Sequence, residues 1–158
     1  TVSVDCAGPQ QEYVRWGFDW NQWTKNFELL IKHRWLYLVI NQTISALTIR
    51  SMPELIDRIT EFRARKQIGH YFELVTGHDG ILHPSIYSYD LWAEAFSSII
   101  SKMDQDPEAQ LRMEGLRLEL QGSQQDNPMM ISRLQTYLTE LDRRRGTDWR
   151  EVFPYLDR

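Results

Sequence analysis

The sequence predicts an α/β fold in which three β/α units precede a helical C-terminal segment. Three apolar runs of strand length, rich in β-branched and aromatic residues, occur within residues 1–76, and amphipathic helical segments separate them. Strand, helix and strand at these separations favour a right-handed parallel arrangement. Helical periodicity alone follows, so we predict two parts, residues 1–87 and residues 88–158.

The first unit starts at the first residue of the chain. Residues 1–5 have the pattern of a strand that ends on polar residues and Cys6. A loop containing Arg15 then leads into a helix that Asp19 or Asn21 can cap. A strand that begins at residue 1, without an initiator methionine, predicts that the chain is a piece of a longer protein.

The second and third units follow the same order. The continuous apolar run at residues 35–40 predicts a strand that is covered on both faces, with a polar exit at residues 41–43. Residues 51–54 form a Ser-Met-Pro-Glu capping box that opens the next helix. The third strand is predicted at residues 71–76 and leaves through the Gly-His-Asp-Gly turn at residues 77–80.

Three further helices are predicted in the second part of the chain. Apolar residues recur at helical spacing over residues 89–103, from about 107 to 120 and from 128 to about 144. Pro107 and Pro128 open the second and third of these helices, and Gly146 ends the third.

Composition limits the classes of function. The net charge of −4 gives no electrostatic drive toward nucleic acid or anionic lipid. No stretch approaches the roughly 20 apolar residues that a membrane span needs. The single cysteine, Cys6, excludes an internal disulfide and fits a reducing compartment, so we expect a cytoplasmic protein.

Several segments resemble radical S-adenosylmethionine (radical SAM) enzymes. Residues 2–6 and 12–17, with the helix that follows, are similar to the fourth β/α unit of that family, while residues 39–45 and 72–77 are similar to its fifth and sixth strands. The tail Leu141-Asp-Arg-Arg-Arg-Gly-Thr-Asp-Trp-Arg-Glu-Val-Phe-Pro-Tyr-Leu156 resembles the ending of twitch-type radical SAM proteins. This tail is the most specific of the matches.

The resemblance implies a fold and a cofactor. The chain would be the C-terminal half of a partial parallel (β/α)6 TIM-like barrel, and a missing N-terminal half-barrel would be its partner. The full-length parent would reductively cleave S-adenosylmethionine at a [4Fe–4S] cluster, generating a 5′-deoxyadenosyl radical that abstracts hydrogen from an unknown substrate. The chain alone would be inactive.

The resemblance also implies a set of residues at the strand ends that bind S-adenosylmethionine. These are Ser3, Asp5, Arg15, Asn41, Thr43 and Val75. Arg15 would pair with the carboxylate of the cofactor through its forked guanidinium. Ser3 would bond the ribose or the amino-acid part, Asn41 and Thr43 would reach the ribose, and Val75 would lie near the adenine.

The chain departs from the family in its cysteines. The Cys-x-x-x-Cys-x-x-Cys loop that holds the [4Fe–4S] cluster is absent, and Cys6 stands where the family has glycine. We therefore expect the cluster ligands to lie outside this chain and assign no metal ligand or catalytic residue within it.

Two other hypotheses remain open. His78, Asp79 and His83 surround the third strand exit, and such side chains ligate metal in many barrel hydrolases and isomerases. The chain could also be a non-catalytic interaction fragment whose open sheet edge needs a partner.

Overall fold

One parallel sheet lies at the centre of the first part of the chain. The computed structural model describes all residues, Thr1–Arg158. The strands are β1 (Val2–Ser3), β2 (Leu38–Ile44) and β3 (Ile68–Leu74), in the spatial order β1-β2-β3. Both neighbouring pairs are parallel, with Ser3 opposite Asn41 and Thr43 opposite Glu73. The predicted parallel α/β arrangement is confirmed.

Seven α-helices make up most of the remaining chain. They are α1 (Gly8–Val14), α2 (Trp20–Ile31), α3 (Met52–Arg63), α4 (Ala93–Lys102), α5 (Pro107–Leu120), α6 (Pro128–Arg145) and α7 (Trp149–Val152). Short 3-10 turns occur at Ile49–Ser51, His78–Gly80, Pro84–Ile86, Tyr89–Leu91 and Pro154–Leu156. None of the helices combines the length and the apolar character needed to cross a lipid bilayer.

The prediction of a TIM-like half-barrel is wrong. The sheet is open and small, its first strand is two residues long, and helices dominate the chain. The C-terminal helices return to the first unit, where α7 contacts α1 and the Tyr13 hydroxyl donates to Asp142 on α6. Local patterns specify strands, but curvature and closure depend on pairing with further strands. A three-strand pattern therefore does not by itself specify a barrel.

The two faces of the sheet differ. Along β2, Ile40 and Ile44 are buried whereas Asn41 and Thr43 are exposed, and β3 alternates in the same way. The prediction that β2 is covered on both faces is therefore wrong. Helices cover the apolar face. The other face stays open to solvent, because its polar side chains gain no hydrophobic stabilisation from burial.

The core extends through both parts of the chain. Its buried apolar residues run from Val4 to Leu156. Between α2 and α3 the rings of Phe27 and Phe62 stack with centroids 4.7 Å apart, and Trp23 stacks on Phe27 at 5.1 Å. The division at residues 87 and 88 stays a prediction.

Local signals place most of the helix ends. The Asp19 carboxylate accepts a hydrogen bond from the backbone N–H of Gln22 at 2.7 Å, which confirms the predicted cap of α2. Gly146 ends α6 with φ of 69°, a left-handed conformation that favours glycine. The capping box at Ser51 is wrong, because a 3-10 turn leads into α3 and the Ser51 hydroxyl donates to Thr48 instead.

His70 is a buried imidazole on β3. Its Nε2 lies 2.8 Å from Gln42 Oε1. Because the Gln42 amide nitrogen donates to the Asp5 carbonyl, Gln42 Oε1 is the accepting atom and His70 Nε2 donates. His70 Nδ1 is buried without a partner. Burial, followed by the charge of Arg63, lowers the pKa of His70 to about 3.

This depressed pKa predicts acid sensitivity. Between the folded value of about 3 and an unfolded value of about 6.5, the unfolded chain binds more protons, so stability is lost as pH falls through this window. From pH 7 to pH 5 the contribution of His70 to the free energy of unfolding should fall by about 2 kcal/mol. Urea unfolding at both pH values should show a smaller loss for His70→Gln than for the wild type. Equal losses in both proteins would contradict this prediction.

Candidate functional site

A cleft lies at the carboxyl ends of the three strands. Its volume is about 370 Å³, within the range of small-molecule sites. The strand exits contribute Asp5, Thr43, Ser45 and Val75. The α1 region and α6 contribute the other main walls, with Tyr13, Arg15, Tyr137, Leu141 and Arg145. In open α/β sheets, ligands bind outside the carboxyl ends of the strands, so this cleft is the candidate site.

Four of the six predicted cofactor-binding residues line the cleft. They are Asp5, Arg15, Thr43 and Val75. Ser3 and Asn41 do not line it; they lie opposite each other on β1 and β2. Asn41 is two residues before Thr43 on the same open face, about 6–7 Å farther down the strand. The structure therefore brings the strand exits together at the cleft, while Ser3 and Asn41 lie earlier on their strands and outside it.

Asp5 is the centre of a hydrogen-bonded network in the cleft floor. Its Oδ2 accepts from Arg15 Nε at 2.7 Å, and its Oδ1 accepts from Arg15 Nη2 at 3.2 Å and from the Thr43 backbone N–H at 2.9 Å. The Asp5 side chain is only 5% exposed, while that of Arg15 is 41% exposed. Asp5 thus joins β1 to β2 and orients Arg15.

Gln11, which the sequence reasoning missed, supports this network from below. It is fully buried on α1, and its Oε1 accepts from the backbone N–H groups of Asp5 and Cys6 at 2.9 and 3.0 Å. Its Nε2 has no partner. A glutamine in a short polar helix gives no sequence signal for such a role.

Cys6 is packed in the core and does not line the cleft, so it is no candidate for cluster binding. Its side chain is fully buried, and burial raises the pKa of its thiol to about 12. The [4Fe–4S] cluster of radical SAM enzymes needs three thiolates, and the chain has one cysteine. The residues present therefore do not fit the cluster.

The C-terminal tail forms one wall of the cleft. The Asp142 carboxylate accepts from the Tyr13 hydroxyl at 2.8 Å, from the Thr147 hydroxyl at 2.6 Å and from the Trp149 backbone N–H at 2.7 Å. Burial and Asp142 raise the pKa of Tyr13. Asp142, the acidic residue of the tail motif, therefore links α6 to α1 and to the start of α7 through these three hydrogen bonds, which we call the Asp142 clamp.

Arg145 reaches the cleft from the end of α6. Its Nη1 donates to the Tyr13 carbonyl at 3.0 Å, and its guanidinium lies 5.3 Å from the centre of a Trp16 ring. The sequence reasoning missed this residue, since a run of three arginines at a helix end is usually solvated and favourable to the helix dipole.

The structure does not assemble the residues of the metal hypothesis. His78 lines the cleft, but Asp79 pairs with Arg133 at 3.2 Å and His83 Nδ1 lies 2.7 Å from the Ser85 hydroxyl. No group of three or more His, Cys, Asp or Glu side chains is arranged to hold a metal ion. Only His78 of this set faces the candidate site.

Comparison with known proteins gives no independent assignment. No protein-family model, curated protein or solved structure matches the chain. The likeness to radical SAM enzymes therefore stays a prediction based on the strand exits and the tail.

Proposed function

We propose that the chain provides the S-adenosylmethionine-binding surface of a radical SAM enzyme. The observation that carries the proposal is that Asp5, Arg15, Thr43 and Val75, from all three strand exits, meet at one cleft. The same four residues occupy positions that resemble the strand-end residues with which radical SAM enzymes bind S-adenosylmethionine. The specific tail motif supplies the opposite wall of the same cleft.

The lining suits the separate parts of the cofactor. Thr43 has a hydroxyl with no partner within the protein, which can bond a ribose hydroxyl. Val75, Leu82 and Tyr137 offer apolar and aromatic surface for an adenine ring. Guanidinium groups can hold the carboxylate of the amino-acid part. The tasks of this chain would be to bind, to orient and to exclude water.

The proposal requires a cluster from outside these residues. A reduced [4Fe–4S] cluster would supply the electron for radical chemistry, and no residue of this chain would hold it. Since the only thiol here is buried, the cluster ligands must come from another segment or chain. A reducing cytoplasm is the compartment that we expect for such a protein.

Ligand titration of the purified chain tests the binding part of the proposal. S-adenosylhomocysteine should bind, and Thr43→Val should weaken that binding about tenfold because one ribose hydrogen bond is lost. Thr24→Val is the matched control: it lies on α2, outside the cleft, where its hydroxyl bonds its own helix. Calorimetry that detects no binding by the wild type would contradict the proposal.

The radical part is tested on the complete gene product. Reconstituted anaerobically and reduced, it should bind iron and sulfide and release 5′-deoxyadenosine from S-adenosylmethionine. Binding of the nucleoside probe without this cleavage would retain the cleft as a nucleoside site and reject the radical chemistry.

One observation favours the interaction hypothesis as a second candidate. β1 and β3 are edge strands, and the open face of the sheet exposes Tyr71. Such edges are sites for pairing with another chain. Sedimentation at micromolar concentration that shows only a monomer would count against self-association through this face.

A further inference from the structure

The resemblance assigns the cofactor carboxylate to Arg15, but its guanidinium is already engaged. Both Nε and Nη2 donate to the Asp5 carboxylate, in the two-bond geometry that a ligand carboxylate would need. Transfer of Arg15 to a ligand would leave the Asp5 carboxylate buried without its charge partner. Removing one partner of a buried pair is strongly unfavourable. Arg15 is therefore a poor carboxylate receptor in this conformation.

Arg145 is the other guanidinium of the cleft, and it has no carboxylate partner. One nitrogen, Nη1, donates to the Tyr13 carbonyl, while Nε and Nη2 have no acceptor. The neighbouring arginines differ: Arg143 and Arg144 both pair with Glu140, at 2.9 and 2.8 Å. Of the three consecutive arginines, Arg145 alone combines a place in the cleft with an uncompensated charge.

The surroundings of Arg145 hold it in place. Its guanidinium lies over the rings of Tyr13 and Trp16, at 5.8 and 5.3 Å from their centres. Tyr13 is in turn held by Asp142. An arginine whose guanidinium already contacts aromatic rings loses less conformational freedom when it binds an anion.

The charges of the lining favour an anionic group at this point. Among the residues that line the cleft, Asp5 and Arg15 neutralise each other, so Arg145 is the remaining charged group of the lining, in a protein of net charge −4. A concave site that concentrates one sign of charge attracts the opposite sign.

We infer that Arg145 binds the carboxylate of the amino-acid part of the ligand, and that Arg15 serves to position the cleft floor. This inference rests on the proposed function, since it names the residue that would recognise one end of the proposed cofactor. It also gives the tail a role in binding: the Asp142 clamp sets the place of Arg145 relative to the strand exits.

Two probes separate the carboxylate from the nucleoside. S-adenosylhomocysteine carries the amino-acid part, and methylthioadenosine lacks it. Arg145→Gln should weaken S-adenosylhomocysteine binding by about 10- to 100-fold, which is typical for loss of a charge-assisted hydrogen bond, and leave methylthioadenosine binding unchanged. Arg145→Lys should recover part of the loss because it keeps the charge without the fork.

Arg143→Gln is the matched control, because it removes the same charge from the same helix end outside the cleft, and both affinities should stay unchanged. If wild type binds both probes and Arg145→Gln changes neither affinity, or changes both equally, the inference is overturned while the proposed function stands. If wild type binds neither probe, the proposed function fails and the inference fails with it. Thermal unfolding of each variant verifies that it is folded.

Discussion

Replacing Trp149 with alanine should lower the free energy of unfolding by about 3–5 kcal/mol, in the range for a fully buried large aromatic residue. Trp149 has no exposed surface, and its indole N–H donates to the Thr139 hydroxyl at 3.3 Å. Its backbone N–H is also the third donor to Asp142. The substitution leaves a cavity between α6 and α7, where the surrounding helices can collapse only in part.

Urea unfolding followed by far-ultraviolet circular dichroism measures this effect. Trp35→Ala makes the same change at a side chain that is 80% exposed, and it should alter the free energy of unfolding by no more than about 0.5 kcal/mol. The packing of the tail described above would be contradicted by similar values for the two variants.

Asp5→Ala has the second largest expected effect, a loss of about 2–4 kcal/mol in the free energy of unfolding. The substitution leaves the Thr43 backbone N–H without its acceptor and Arg15 without its partner. The lower end of the range reflects the exposure of Arg15, because water can solvate its freed guanidinium. The strand exits of β1 and β2 would separate, so nucleoside binding should weaken as well.

The matched control is Asp57→Ala on α3. Asp57 pairs with Lys102 at the surface with a side chain that is 53% exposed, so its loss should cost less than about 1 kcal/mol and should diminish at high salt. A loss for Asp5→Ala no larger than that for Asp57→Ala would show that the cleft floor does not depend on this carboxylate.

The ends of β2 differ from those that the sequence pattern predicted. The apolar run at residues 35–40 predicted β2, but Trp35 and Tyr37 are exposed and β2 continues to Ile44. Gln42 is buried within the strand because its amide donates to Asp5 and accepts from His70. A buried glutamine satisfied by two distant partners looks, in sequence, like the beginning of a loop.

Only part of the candidate site could be predicted from the sequence. Polar residues at the ends of the first two strand-like runs included Asp5 and Thr43, and the resemblance added Val75. All three line the cleft because parallel strands place their carboxyl ends at one edge of a sheet. Gln11 and Arg145 were missed, since their partners lie in other segments of the chain. The resemblance of the tail to a known family stays a prediction, and the tail sequence does not indicate that this segment faces the strand exits.

By itself, the sequence determined the features that depend on near neighbours. Prolines at positions 107 and 128 begin α5 and α6, Gly146 ends α6 and Asp19 caps α2, because helix boundaries are set by the backbone preferences of a few consecutive residues. Only the tertiary structure decided that the sheet stays open, that Asp5 occupies Arg15, and that Arg145 faces the cleft. These outcomes depend on contacts such as that of Tyr13 with Asp142, which are 129 residues apart. Local propensity carries no information about which distant groups will meet, so side-chain partners and the shape of the cleft emerge only when the chain is folded.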